Sequence, residues 1–177
     1  MNSFRTEQDI SLFLKKQIAL HKVRPSFNPI VANVPGGSEP HHRPKRVALK
    51  RGFCVIDFGV KVNGYCSDMT RTVFFGKPTL KEKRLYQLVL NAQQKAIKHL
   101  MHGAQGSELY KIAASELKEH CKKFIHGLGH GLGKHIHTKP FFKKKSTDIV
   151  REGDIVTIEP GIYFKNRFGI RIEDDFF

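Results

Sequence analysis

Apolar residues recur at helical spacing in three stretches of the chain and cluster at strand-like spacing in most of the rest. Behind Thr6, the residues Ile10, Phe13, Leu14 and Ile18 fall on one side of a helix, which predicts an amphipathic helix ending near His21. Thr6 and Asp9 have the spacing of a capping box, where each side chain satisfies the other residue's backbone N–H. Leu85, Leu88, Val89, Ala92, Ala96 and Leu100 form a second stripe, and Leu109, Ile112, Ala113 and Leu117 a third. Residues 27–32 read as a short strand, and 33–44, rich in Pro, Gly and His, as a loop. Strands are expected at 53–59 and 65–75, joined by Asn63-Gly64, because both turn residues tolerate the positive φ of a type I′ hairpin. Strands return at 155–159 and 170–173. Strands, two helices and strands again, with no repeat or linker, predict one α+β domain built on a curved antiparallel sheet flanked by helices.

Composition agrees with a folded domain. The 177 residues are 40% hydrophobic and include 14 Phe, enough to build a core and too apolar for a disordered chain. No apolar run reaches the roughly 20 residues needed to span a bilayer, and the first residues contain no signal-like apolar segment. Three cysteines, Cys54, Cys66 and Cys121, are odd in number and form no CxxC pair, so neither a disulfide framework nor a zinc knuckle is indicated. A reduced cytoplasmic protein is the expectation.

Charge changes the picture more. The net charge is +15, with basic runs at 43–51, 122–123 and 143–145. Such runs can bind nucleic acid, or can simply be a solvated surface. No recognition helix, aromatic RNA-binding pair or zinc finger accompanies them, so the solvated surface is the reading adopted here.

Three clusters carry candidate chemistry. With Asn63 and Gly64 at the turn, Asp57 lies opposite Thr70 and Asp68 opposite Gly59, so both carboxylates share one face of the hairpin. As diagonal neighbours their Cβ atoms stand about 7–8 Å apart, which lets them converge on two metal ions about 3.5–4 Å apart. Two solvated strand carboxylates are the alternative, weakened by the apolar neighbours Val55, Ile56 and Phe58. The second cluster places His126, His130, His135 and His137 among four glycines of residues 126–133. Those glycines argue against a helix and suggest close approach of the backbone to a ligand or metal. In the third, Glu159 and Glu173 sit in apolar strand segments, where an unpaired carboxylate is costly. Arg171, two residues from Glu173, shares its face and can hold nearby carboxylates ionised. An ordinary Arg–Glu pair is the plainer reading of that segment alone. Four carboxylates with at least one imidazole suit divalent ions, Mn(II) first, with Co(II), Fe(II) or Zn(II) as alternatives.

Five segments together, Val55-Ile-Asp57-Phe-Gly, Ser67-Asp68-Met-Thr-Arg71-Thr, His126-Gly-Leu-Gly-His130-Gly-Leu-Gly, Thr157-Ile-Glu159-Pro-Gly-Ile-Tyr163 and Gly169-Ile-Arg171-Ile-Glu173-Asp174, resemble the pita-bread metallopeptidases. That family holds the Xaa-Pro aminopeptidases, Xaa-Pro dipeptidases and methionine aminopeptidases, and the Ser-Asp-Met-Thr-Arg-Thr and Arg-Ile-Glu-Asp forms resemble the Xaa-Pro branch. The resemblance implies a pita-bread fold and hydrolysis of the bond between an N-terminal residue and proline. It implies two divalent ions held by Asp57, Asp68, His130, Glu159 and Glu173, with Asp68 and Glu173 bridging. Glu159 would also serve as acid/base, and His41, His126 and His137 would act on the substrate. His41 is chosen over His42 for its offset to Asp57. Arg171 and Tyr163 would orient the Asp57 carboxylate. Thr138 departs from the pattern, which places an acidic residue there. Residues 1–177 read as a single catalytic domain, cut short at both ends and without the accessory N-terminal domain of Xaa-Pro enzymes. The implied partner is a short peptide with proline second, and the resemblance leaves room for a homodimer. Methionine aminopeptidase is the alternative within the class. A non-catalytic pita-bread protein, binding nucleic acid or a partner through its basic surface, is the alternative outside it.

Overall fold

The computed structural model describes residues 4–177. Helix α1, Glu7–Leu20, opens with the expected reciprocal cap between Thr6 and Asp9. Strands β1 (Arg24–Pro25) and β2 (Ile30–Asn33) follow, then a 3₁₀ turn at Gly36–Ser38. The expected strand at 27–32 therefore starts later, beyond Pro29, which has no N–H to give a ladder. Next come β3 (Gly52–Phe58), β4 (Val60–Val62), β5 (Tyr65–Cys66) and β6 (Met69–Phe75). Asn63 and Gly64 turn the hairpin at φ of 49° and 87°. The register is the expected one, with Asp57 opposite Thr70. The long arms are interrupted near Gly59, where a Cβ would lie 1.8 Å from the Ser67 carbonyl oxygen. Only glycine lets the two backbones pass so closely.

Helices α2 (Leu80–Ile97) and α3 (Gly106–Glu116) pack against each other and against the inner faces of the strands. Their stripe residues Leu85, Val89, Ala92, Leu109 and Leu117 join Phe53, Phe142, Ile158 and Ile170 in the main core. A smaller cluster of Ile10, Val31 and Cys54 seats α1 on β2 and β3. The chain then forms β7 (Gly129–Leu132), β8 (Thr138–Phe142), β9 (Ile155–Ile158), β10 (Gly161–Phe164), β11 (Phe168–Arg171) and β12 (Asp174–Phe176).

Every strand pairing is antiparallel. Among the described residues the sheet breaks into four ladders, β1-β4-β5, β2-β3-β6, β10-β11 and β12-β9-β7-β8. A single bridge between Thr70 and Glu173 joins the second ladder to the last strands. That bridge brings the carboxylate-bearing hairpin against the carboxylate-bearing C-terminal segment.

Candidate metal centre

Asp57 projects from the end of β3, and Asp68 sits at the break just before β6. Both side chains are buried. The Asp68 amide donates to Asp175 Oδ2 at 3.1 Å, which fixes the backbone at that break. His130 lies inside β7, and its amide donates to Thr157 Oγ1 on β9 at 3.1 Å. Glu159 and Glu173 are not within strands, contrary to the sequence expectation. β9 ends at Ile158 because Pro160 cannot continue its ladder, and the Glu159 amide turns to the Leu128 carbonyl at 2.7 Å. Glu173 lies between β11 and β12, held by its amide on the Thr70 carbonyl at 3.1 Å.

Ligand atoms of Asp68, His130 and Glu173 all lie within 4.8 Å of one another. His130 Nε2 is also 3.5 Å from Glu159 Oε1. Asp57 and Glu159 line the same cleft, a hollow of about 710 Å³. One oxygen of Asp57 and one of Asp68 are fully buried with no hydrogen-bond partner. Buried carboxylate oxygens without partners are strongly disfavoured, so these two point to a cation as the missing partner. The donor set, carboxylates with one imidazole, is right for such an ion.

Electrostatics give the same answer. Burial, reinforced by Asp57 and Glu159, pushes Asp68 up to about 9. Burial also pushes Glu159 up to about 7, against the pull of Arg171, and Glu173 is raised by burial and by Glu159 and Asp68. Asp57 is raised by burial although Arg171 opposes the shift. These carboxyls repel one another unless protons or cations intervene. The imidazoles run the other way: burial lowers His130 to about 4 and His126 to about 3, and lowers His137. All three are neutral near pH 7, the form that ligates a metal or accepts a hydrogen bond.

One network holds the cluster in place. Arg171 Nη2 donates to Asp57 Oδ2 at 2.6 Å, Nη1 to Tyr163 Oη at 2.8 Å and to the Pro40 carbonyl at 3.2 Å, and Nε to Thr70 Oγ1 at 3.1 Å. Thr70 Oγ1 in turn donates to Glu173 Oε2 at 2.6 Å. Tyr163 Oη is 2.9 Å from His126 Nε2. Burial pushes the Tyr163 phenol up to about 12, so it stays a neutral donor. Thr72 Oγ1 bonds both the amide and the carbonyl of Arg171, at 3.0 and 2.7 Å. Sequence reasoning did not assign Thr72, Thr157 or Asp175. The alternation of 68, 70 and 72 on one strand face was the available signal for Thr72.

The histidines separate. The rings of His130 and His137 meet edge to face at 4.4 Å, and His126 and His41 also line the cleft. His41 is exposed to it, whereas His42 is buried with Nε2 2.9 Å from Glu7 Oε2. His135 is not among the cleft residues. Two of the four glycines of residues 126–133 are required by neighbouring backbone. A Cβ on Gly129 would lie 1.9 Å from the Thr157 oxygen, and one on Gly131 would lie 2.1 Å from the Lys139 oxygen. These two admit neighbouring strands, and Gly127 and Gly129 also border the cleft.

The family model described as metallopeptidase family M24 matches residues 1–177. This chain belongs to metallopeptidase family M24. Its relatives include an Xaa-Pro dipeptidase of Pyrococcus furiosus, 39% identical over 154 residues, or 85% of this chain and 44% of the relative. Among solved structures, a prolidase from Thermococcus sibiricus superposes with a TM-score of 0.93 at 36% identity, over 99% of this chain and 49% of that one. An X-Pro aminopeptidase from Thermotoga maritima gives 0.93 at 34% identity, over 99% and 51%. The fold is therefore the pita-bread fold. The chain spans about half the length of the relatives it matches. Among the described residues, no helix is long and apolar enough to cross a membrane.

Proposed function

We propose that this chain forms the catalytic part of a dinuclear-metal exopeptidase that hydrolyses the bond between an N-terminal residue and proline. The observation that carries the reading is the convergence of Asp68, His130 and Glu173 within 4.8 Å, beside two partnerless carboxylate oxygens. Asp57, Asp68, His130, Glu159 and Glu173 would hold the two ions, with Asp68 and Glu173 shared between them. Bound there, a divalent pair, Mn(II) in this proposal, would acidify the attacking water and polarise the amide carbonyl.

The protein's own residues do the rest. Arg171 favours the ionised form of Asp57 through Oδ2, which leaves the other oxygen for the metal. Glu159, beside His130 and His126, takes a proton from the attacking water and returns it to the leaving amine. His126, neutral and tied to Tyr163, together with His137 and His41, positions the scissile amide and stabilises the developing oxyanion. Proline specificity is supported by the kinship with a Pyrococcus Xaa-Pro dipeptidase and with X-Pro aminopeptidase and prolidase structures. The three free cysteines suit a reducing compartment such as the cytoplasm.

The test is hydrolysis of Ala-Pro, Ala-Pro-Ala-Ala and Met-Ala-Ala, each with Mn(II), Co(II) or Zn(II). Cleavage before proline in at least one metal supports the reading. Cleavage of Met-Ala-Ala alone would transfer the chain to the methionine branch. No cleavage by metal-saturated protein would favour the non-catalytic alternative.

A further inference from the structure

The charged lining of the cleft is divided by depth. Its carboxylates, Asp57, Asp68, Glu159 and Glu173, all belong to the metal cluster, and Arg171 is taken up by Asp57. The remaining permanently charged side chains are Arg43 and Lys143, both exposed. Neither takes part in an ion pair among the described residues.

Both cations are presented by anchored groups. Residues on either side of Arg43 are pinned to buried Glu7: His42 Nε2 lies 2.9 Å from Glu7 Oε2, and the Lys45 amide donates to the same oxygen at 3.0 Å. Glu7 Oε1 accepts the Asn33 amide at 2.8 Å, so α1 clamps both ends of the segment that carries Arg43. Lys143 Nζ stands 4.6 Å from the centre of the Phe141 ring, itself part of the cleft wall. Beyond Arg43 a second hollow of about 360 Å³ adjoins the cleft, sharing Asn28, Pro29, Arg43 and Pro44 with it. Lys15 lines this hollow, and no acidic residue does.

An enzyme that removes one N-terminal residue holds only that residue on one side of the scissile bond. The chain beyond proline must leave on the other. We propose that it leaves past Arg43 and Lys143 toward Lys15, and that the substrates are peptides extending past proline with acidic side chains there. This rests on the exopeptidase reading above. Exposed ion pairs are individually weak, so the selectivity is modest and resides mainly in KM.

The test compares Ala-Pro-Asp-Asp-amide with Ala-Pro-Asn-Asn-amide on Mn(II)-loaded protein, the amides removing the terminal carboxylate. The acidic peptide should have a kcat/KM about fivefold higher, the size expected of one or two exposed ion pairs. Arg43→Gln should shrink that ratio, whereas Lys122→Gln, remote from the cleft, should preserve it. Equal rates on the two peptides, or equal loss of the ratio in both variants, would overturn the proposal, the latter by assigning the effect to overall charge. Calorimetric binding of the products Pro-Asp-Asp-amide and Pro-Asn-Asn-amide separates this inference from the one beneath it. Preferential binding of the acidic product, lost in Arg43→Gln, with no hydrolysis of any peptide, would sink the enzyme reading and keep the cationic groove. Unselective binding would sink the groove whatever the activity.

Discussion

His130 and His137 stand ring against ring, 4.4 Å apart, yet their surroundings differ. His130 Nε2 faces Asp68 and Glu159 at 3.8 and 3.5 Å, while His137 belongs to the wall. His130→Ala should therefore lower bound metal. His137→Ala should retain the metal and lower kcat by about 10²–10³-fold, as removal of an oxyanion donor does. Elemental analysis beside steady-state kinetics decides it, and equal metal loss in both variants would erase the distinction. Arg171 offers a stability test at the same scale. Arg171→Met removes the guanidinium from a buried pair and leaves Asp57 with no cation beside it. Removing one partner of such a pair costs about 3–5 kcal/mol, measurable by denaturant unfolding of the metal-free protein. A loss below about 1 kcal/mol would mean that the network does not hold the cluster. The four candidate carboxylates were legible because carboxylates in apolar segments are anomalous on their own, whereas His130 was singled out from its neighbouring histidines only by the family resemblance. Thr72 and Thr157 were not legible, because a threonine on a strand is ordinary until its hydroxyl is seen meeting a backbone group.

Glycine placement decides much at the level of elements. Asn63-Gly64 announced the hairpin and its register, and the 57–70 pairing followed from that turn alone. The glycines of residues 126–133 announced only that no helix would form there. The Cα atoms of Gly129 and Gly131 face the backbones of β9 and β8, and contacts so distant in sequence leave no local pattern. For the same reason β7, β8 and β10 were not anticipated, while α2 and α3, whose stripes are local, were. Gly129→Ala would drive a methyl group to within 1.9 Å of the Thr157 oxygen. Since that atom is backbone, β7 and β9 must separate, at a cost of about 3 kcal/mol, the upper end for overpacking. His130 would move with β7. The variant should lose thermal stability and Mn(II) affinity together. Loss of stability with unchanged metal affinity would show that β7 does not position the ligand.

Across the whole molecule, the metal cluster sets the pH dependence of stability. Asp and Glu ordinarily titrate at about 4, while Asp68 is pushed up to about 9 and Glu159 to about 7. Between those limits these carboxyls bind more protons in the metal-free folded chain than in the unfolded one, so their contribution to stability falls as pH rises, while the lowered His126 and His130 act in the opposite sense below pH 6.5. A divalent ion replaces those protons and adds stability by mass action, so the Tm increase on adding Mn(II) should be larger at pH 8 than at pH 6. A Tm gain independent of pH would contradict this. The net charge of +15 predicts weak, non-specific nucleic-acid binding that fades with salt through counterion release. Tight binding to one sequence at about 0.2 M salt would instead mark the basic surface as a dedicated site. The most direct test of the dinuclear reading is equilibrium dialysis of chelator-stripped protein against Mn(II), with elemental analysis and an Ala-Pro-Ala-Ala assay on the same samples. Two ions per chain should bind, hydrolysis should appear in step with them, and Glu173→Ala should lose both. Full hydrolysis by protein holding no ion, or a Glu173→Ala variant retaining two ions and full activity, would contradict the account.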